Sequence, residues 1–162
     1  MRTHTTIGNI YCIRINEREK CFFQYIAKDK SLVYFDVIRV FSRLYPSDYT
    51  PDLEAILSDN VRCYLHTPVK LGEQMGCWEK IGYCKDIGSL GSIVFRTSGD
   101  YANSKPGIKN ISHKWTVWYL SEEPYFYGKL PKKYYTADIG LGFSPRMVVH
   151  ILSGGDLDYP VY

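Results

Sequence analysis

The first forty residues restrict the fold more than any other part of the chain. "NIYCIRI" (Asn9–Ile15), "KCFFQYIA" (Lys20–Ala27) and "LVYFDVIRVF" (Leu32–Phe41) are aromatic and β-branched runs separated by the polar tetrads "NERE" and "KDKS". Runs of this kind at this spacing predict three strands of an antiparallel meander. In the third run Leu32, Tyr34, Asp36, Ile38 and Val40 share one face, and Val33, Phe35, Val37, Arg39 and Phe41 share the other. Neither face is polar, so later segments must cover the sheet on both sides. The expected fold is mostly β: an antiparallel meander forming a twisted sheet or barrel-like core, with one or two short helices.

The later segments supply that cover. Thr50 as N-cap, Pro51 at the first helical position, and Asp52 and Glu54 near the positive end predict a short helix that fades by Ser58–Asn60. "VRCYLHTPV" (Val61–Val69) returns to strand character, and "SIVF" (Ser92–Phe95) is a short strand within long loops. "HKWTVWYL" (His113–Leu120) and "PYFYGKL" (from Pro124) continue the sheet. Ser144 as cap, Pro145 after it and Gly154–Gly155 as terminator bound a last helix. Its Met147, Val148, Ile151 and Leu152 form one apolar side suited to plugging the sheet. No linker divides the chain, so residues 1–162 are expected to form a single β-rich domain.

Composition narrows the function classes. The 15 tyrosines suit half-buried sheet faces and binding surfaces, because each joins an apolar ring to a water-tolerant hydroxyl. A net charge of +3 lacks the concentrated basic stripe that nucleic acid calls for. "MRTHTTIGNIYCIRI" has one early Arg but no apolar core of a leader, and no run has the length of a membrane span, so a soluble, cytoplasmic protein is expected. Five cysteines in that compartment are expected as free thiols, and their odd number argues against a full disulfide framework.

The motifs point away from catalysis. Cys63, His66, Cys77 and Cys84 make a zinc-compatible set, with Cys77 and Cys84 inside "MGCWEKIGYC". On strands, however, each pair lies an odd number of residues apart and points to opposite faces. Neither pair has a turn between its members, so packing thiols are the expected reading and no metal is called for. "DIGSLGS" and "DIGLGFSP" lack the Lys-Ser/Thr of a phosphate loop and read as turns. There is no nucleophile elbow, C-x-x-C or H-E-x-x-H, so no enzyme and no cofactor is expected. An enzyme would need a cleft holding His66 or His113 beside a carboxylate or thiol. Candidate partner-contact residues are Trp115 and Trp118, which face opposite ways on one strand, together with Glu122 and Glu123 in a turn. Asp156, Asp158 and Tyr159 of the tail "GGDLDYPVY" complete the set, as an acidic surface for a basic partner.

Three stretches together resemble the immunity protein 26 family of bacterial polymorphic toxin systems. "GNIYCIRINEREKCFFQYI" resembles that family's opening, with Gly8, Asn9, Ile10 and Tyr11 leading to Gln24, Tyr25 and Ile26. "WEKIG" (Trp78–Gly82) resembles its central Trp-x-x-Ile-Gly element, and "FRTSGDYANSKPGIKNISHKWTVWYL" its later region. The resemblance spans about residues 7–120 and leaves the last helix and tail uncovered. It implies a non-catalytic protein that binds a cognate toxin domain and blocks it by occlusion. Trp78 and Ile81 would then be packing residues, with Gly82 allowing a turn or close approach. The alternative is a β-barrel module that binds peptide or single-stranded nucleic acid on exposed aromatics.

Overall fold

A computed structural model describes residues 4–103 and 105–162; Arg2, part of the leader reading, lies outside them. The first sheet contains β1 (Asn9–Arg14), β2 (Glu19–Lys28), β3 (Asp36–Phe41), β4 (Tyr45–Pro46), β5 (Val61–His66) and β6 (Glu79–Tyr83). Its order is β5-β3-β2-β1-β6, with β4 paired to one end of β2. Every pairing in it is antiparallel, as the meander reading requires. The β1–β2 turn forms because Asn16 Oδ1 accepts from the amides of Arg18 and Glu19, at 2.8 and 2.9 Å.

The third strand is shorter than expected. Leu32–Phe35 does not join it, although its composition suits a strand. The backbone there is committed to a turn around Asp29, whose carboxylate accepts from Ser31 N while Asp29 N donates to Phe35 O. Leu32 and Tyr34 are left more than half exposed.

The second sheet contains β7 (Val94–Ser98), β8 (Trp115–Tyr119), β9 (Tyr125–Gly128) and β10 (Asp138–Ile139), in the order β10-β7-β8-β9. β10 runs parallel to β7, so Asp138–Ile139 is strand where a turn was expected. Beyond β10 the chain meets the free edge of β5: Phe143 N donates to His66 O at 3.0 Å. Among the described residues the two sheets thus share a seam without closing into a barrel.

Among the described residues three α-helices complete the fold. α1 (Leu53–Leu57) is capped by Asp52, whose Oδ1 accepts from Glu54 N and Ala55 N, in place of the expected Thr50. α2 (Val69–Gln74) occupies part of what reads as strand, because the chain turns at Thr67 and Pro68. Pro68 lacks an N–H and cannot extend the β5 ladder as a donor. α3 (Pro145–Leu152) matches its signals: Ser144 Oγ accepts from Met147 N and Gly154 follows at φ +88°.

Packing explains why the opening strands are apolar on both faces. On one face Cys21, Phe23 and Tyr25 meet Tyr11, Trp78, Val148 and Leu152 beneath α3. On the other, Phe22, Phe41 and Tyr45 pack on Ile56 of α1. Further along that face Ile26, Ala27 and Val37 press against Ile93, Phe95 and Trp118 of the second sheet. Each fully buried side chain of this size contributes about 1.5–3 kcal/mol relative to exposure.

"MGCWEKIGYC" is part of this core. Trp78 is buried, donates from Nε1 to Val69 O at 2.9 Å and meets Phe23 edge-on at 5.1 Å. A Cβ on Gly72 would overlap the indole, so only glycine lets α2 lie against it. Ile81 packs with the α1 cluster, and Gly82 sits against the side chain of Leu53. Cys77 packs on the main core, while Cys84 O accepts from the buried Gln24 amide at 3.0 Å.

Candidate functional site

The seven candidate contact residues separate into distinct places. Trp115 and Trp118 are both buried, so neither reaches the surface as a partner-contact residue must. β8 is covered on both faces: Trp118 faces the first sheet, and Trp115 lies with Leu130, Tyr134 and Tyr159 under the returning chain. Tyr159 is also buried, its hydroxyl accepting from Ser98 N at 2.7 Å. Asp156 is exposed, accepts from Asp158 N and pairs with Lys109 at 3.5 Å, which together hold its carboxyl below the usual range. Asp158 Oδ1 accepts from Gly107 N at 3.2 Å. Glu122 and Glu123 are exposed in the β8–β9 turn.

Glu122 and Glu123 border the most distinctive surface. β9 is the edge of the second sheet and exposes three aromatics in a row: Tyr125 (68%), Phe126 (71%) and Tyr127 (38%). Tyr125 and Tyr127 lie 6.0 Å apart, and Tyr127 lies 5.7 Å from Tyr134. Tyr119 meets Tyr134 at 6.4 Å with the rings 74° apart. These four rings and the two glutamates border a hollow of about 370 Å³ with Val117 and Trp118 in its wall. The neighbouring hydroxyls of Tyr127 and Tyr119, with burial, push the Tyr134 pKa up. Lys133 Nζ sits 4.9 Å from the Tyr134 ring centre.

Two further polar centres went unseen in the sequence. The first is Asp29, which is fully buried. Its Oδ2 accepts from His66 Nε2 and Trp118 Nε1, both at 2.9 Å, and its Oδ1 from the amides of Ser31 and Ser121, both at 3.0 Å. Burial alone would raise its pKa, but these donors outweigh that and hold it below the usual carboxylate range. His66 Nε2 faces the carboxylate and donates to it, while Nδ1 is buried and has no hydrogen-bond partner among the described residues. His66 does stand beside a carboxylate, yet both side chains are sealed from solvent. Trp118 Nε1 on the same carboxylate oxygen ties this pair to the second sheet.

The second centre is Asp138, in a cleft of about 610 Å³ between β5, β10 and α3, lined also by Arg62, Arg96, Phe143 and Leu157. Burial pushes the Asp138 carboxyl up to about 6, against the lowering effects of Tyr64 N, bonded at 3.0 Å, and Arg96. Arg96 donates to Ala137 O and lies over the rings of Trp115 and Tyr162, each at 5.3 Å. Burial raises the Cys63 thiol in the same cleft to about 12, so it is protonated at neutral pH and a poor nucleophile.

The four zinc-compatible residues are dispersed among these places. Among the described residues no three His, Cys, Asp or Glu side chains converge. No described helix is long and apolar enough to cross a membrane. Comparison with protein-family models, curated proteins and solved structures finds no match to the chain.

Proposed function

We propose that this chain is a non-catalytic binding protein of the immunity type, which blocks a toxin domain by covering it with the β9 face. The observation that carries this reading is the row of exposed aromatics, Tyr125, Phe126 and Tyr127, on a sheet edge. Large rigid rings are the side chains that anchor protein interfaces, and a free edge offers backbone donors and acceptors for an added strand. Water must otherwise wet more than half of the Tyr125 and Phe126 surfaces.

The test joins capture to rescue. Tagged chain is used to capture partners from its native host, and each captured domain is then expressed in a heterologous bacterium. The expected result is a domain that stops growth, with growth restored by the wild-type chain and not by Phe126→Glu. Equal rescue by Phe126→Glu, or capture of non-toxic proteins alone, overturns the reading. Salt-sensitive binding of polyuridine with no captured protein would replace it with the single-strand-binding alternative.

A further inference from the structure

The hollow beside β9 has a chemistry more specific than a general protein-contact surface. Its wall is made from the rings of Tyr119, Tyr125, Tyr127 and Tyr134, and its rim carries Glu122 and Glu123. An aromatic face presents negative charge to whatever lies over it, and a carboxylate at the rim adds a full one. Neither glutamate forms a salt bridge among the described residues. The rings are tilted against each other, by 33° between Tyr125 and Tyr127, 50° between Tyr127 and Tyr134, and 74° between Tyr119 and Tyr134. They therefore form an open corner and do not stack shut. An ammonium already uses this ring system: Lys133 Nζ lies 4.9 Å from the Tyr134 centre, although Lys133 does not line the hollow.

We propose that the hollow is a cation cage that receives an arginine side chain of the partner protein. A guanidinium is planar, so it can lie on one tyrosine while its edge donates to a carboxylate. It is also more weakly hydrated than an ammonium, so it enters an aromatic corner with less loss of solvation. The cavity volume lies within the range of small-ligand sites and accommodates the guanidinium with its apolar stem. This inference rests on the binding-protein reading for the statement that the cation is carried by a protein. The cage itself does not depend on that reading.

The experiment uses the whole chain and two free probes, N-acetyl-L-arginine amide and its neutral isostere N-acetyl-L-citrulline amide. Ring-proton resonances of the tyrosines are followed by NMR as each probe is added. The arginine probe is expected to shift Tyr125, Tyr127 and Tyr134 saturably, with a Kd on the order of millimolar for so small a ligand. The citrulline probe should leave them in place. The double variant Glu122→Gln, Glu123→Gln should weaken the arginine probe by roughly 5-fold or more while its own spectrum stays folded. Tyr125→Leu should weaken it by a similar factor, since it removes a ring and keeps an apolar side chain.

Equal shifts from both probes, or none from arginine up to roughly 50 mM, overturn the cage, since an affinity that weak lies outside the expected range. If the arginine probe fails while Phe126→Glu still abolishes toxin rescue, the cage falls and the proposed function stands. If the probe binds as described and no toxin domain is captured, the function falls and the cage stands.

Discussion

Asp29 and Asp138 each tie one sheet to the other, yet the fold moves their pKa values in opposite directions. Asp29 follows β2 in the first sheet and reaches Trp118 in the second; Asp138 begins β10 in the second and reaches the β5 backbone in the first. Burial raises both. Asp29 has four donors for its two oxygens, and its pKa falls. Asp138 has one backbone donor and a more distant guanidinium, and its pKa climbs to about 6. The number of aimed donors decides the sign, and depth of burial does not.

The largest effect is expected from removing the better-bonded acid. Asp29→Ala leaves the Trp118 indole, the His66 ring and two backbone amides without their acceptor in a sealed site. A loss of about 3–5 kcal/mol is expected, read as a lower midpoint in urea unfolding. A loss below about 1 kcal/mol would mean that the seam does not depend on this carboxylate.

The opposite change should improve the protein at Asp138. Its folded pKa lies above its unfolded value, so folding favours the protonated form. That contribution is fully present below about pH 4 and is lost as pH rises through about 6. Asp138→Asn keeps an acceptor for Tyr64 N and has no charge to bury. It should stabilise the fold by about 1–2 kcal/mol at pH 8 and change little at pH 4. A variant less stable than wild type at pH 8 would contradict this account. For Asp29 the sign reverses: its stabilisation is present above the unfolded pKa and is lost as pH falls through the lower folded value. Wild-type stability should therefore peak on the acid side of neutrality, as thermal melts across pH would record.

A smaller effect is expected at Arg96. Arg96→Met removes the positive neighbour that partly restrains Asp138, so that carboxyl should titrate at higher pH while Asp29 stays unmoved. Carbon-detected NMR of the two carboxyls distinguishes them. The smallest effect is expected at the exposed edge, where Phe126→Glu should change stability by no more than about 0.5 kcal/mol. A larger loss would make Phe126 a structural residue and remove it from the contact surface.

The legible parts of this fold are those whose causes are local. β1, β2 and β8 follow from aromatic and β-branched runs between polar turns, and α3 from Ser144, Pro145 and Gly154. α1 was displaced by its cap, because Thr50 and Asp52 are both able to cap and only the fold selects Asp52. Leu32–Phe35 was misread because its apolar run signals a strand while Asp29 holds the backbone in a turn. α2 was missed because Gly72 weakens helical propensity there and is kept for the Trp78 indole. β10 has two residues, too few for any period.

The site was legible in fragments. Glu122 and Glu123 were candidates and do border one hollow, while the Trp118 indole is turned into the core. The tyrosines that complete it arrive from β8, β9 and the turn at Tyr134, three places that only the fold brings together. The burial of Asp29 and Asp138 carried no signal, since apart from Ser31 N their donors come from distant parts of the chain.

The three tryptophans give this protein an optical readout of its own assembly. Each indole N–H is bound inside the core, Trp78 to Val69 O, Trp115 to Ser112 O and Trp118 to Asp29 Oδ2. Native emission should therefore be blue and shift red on unfolding, with no label added. Trp118 goes further, because its indole hydrogen-bonds a carboxylate whose charge vanishes in acid. A colour change in its emission before the other two respond would report the protonation of that single acid in the intact molecule.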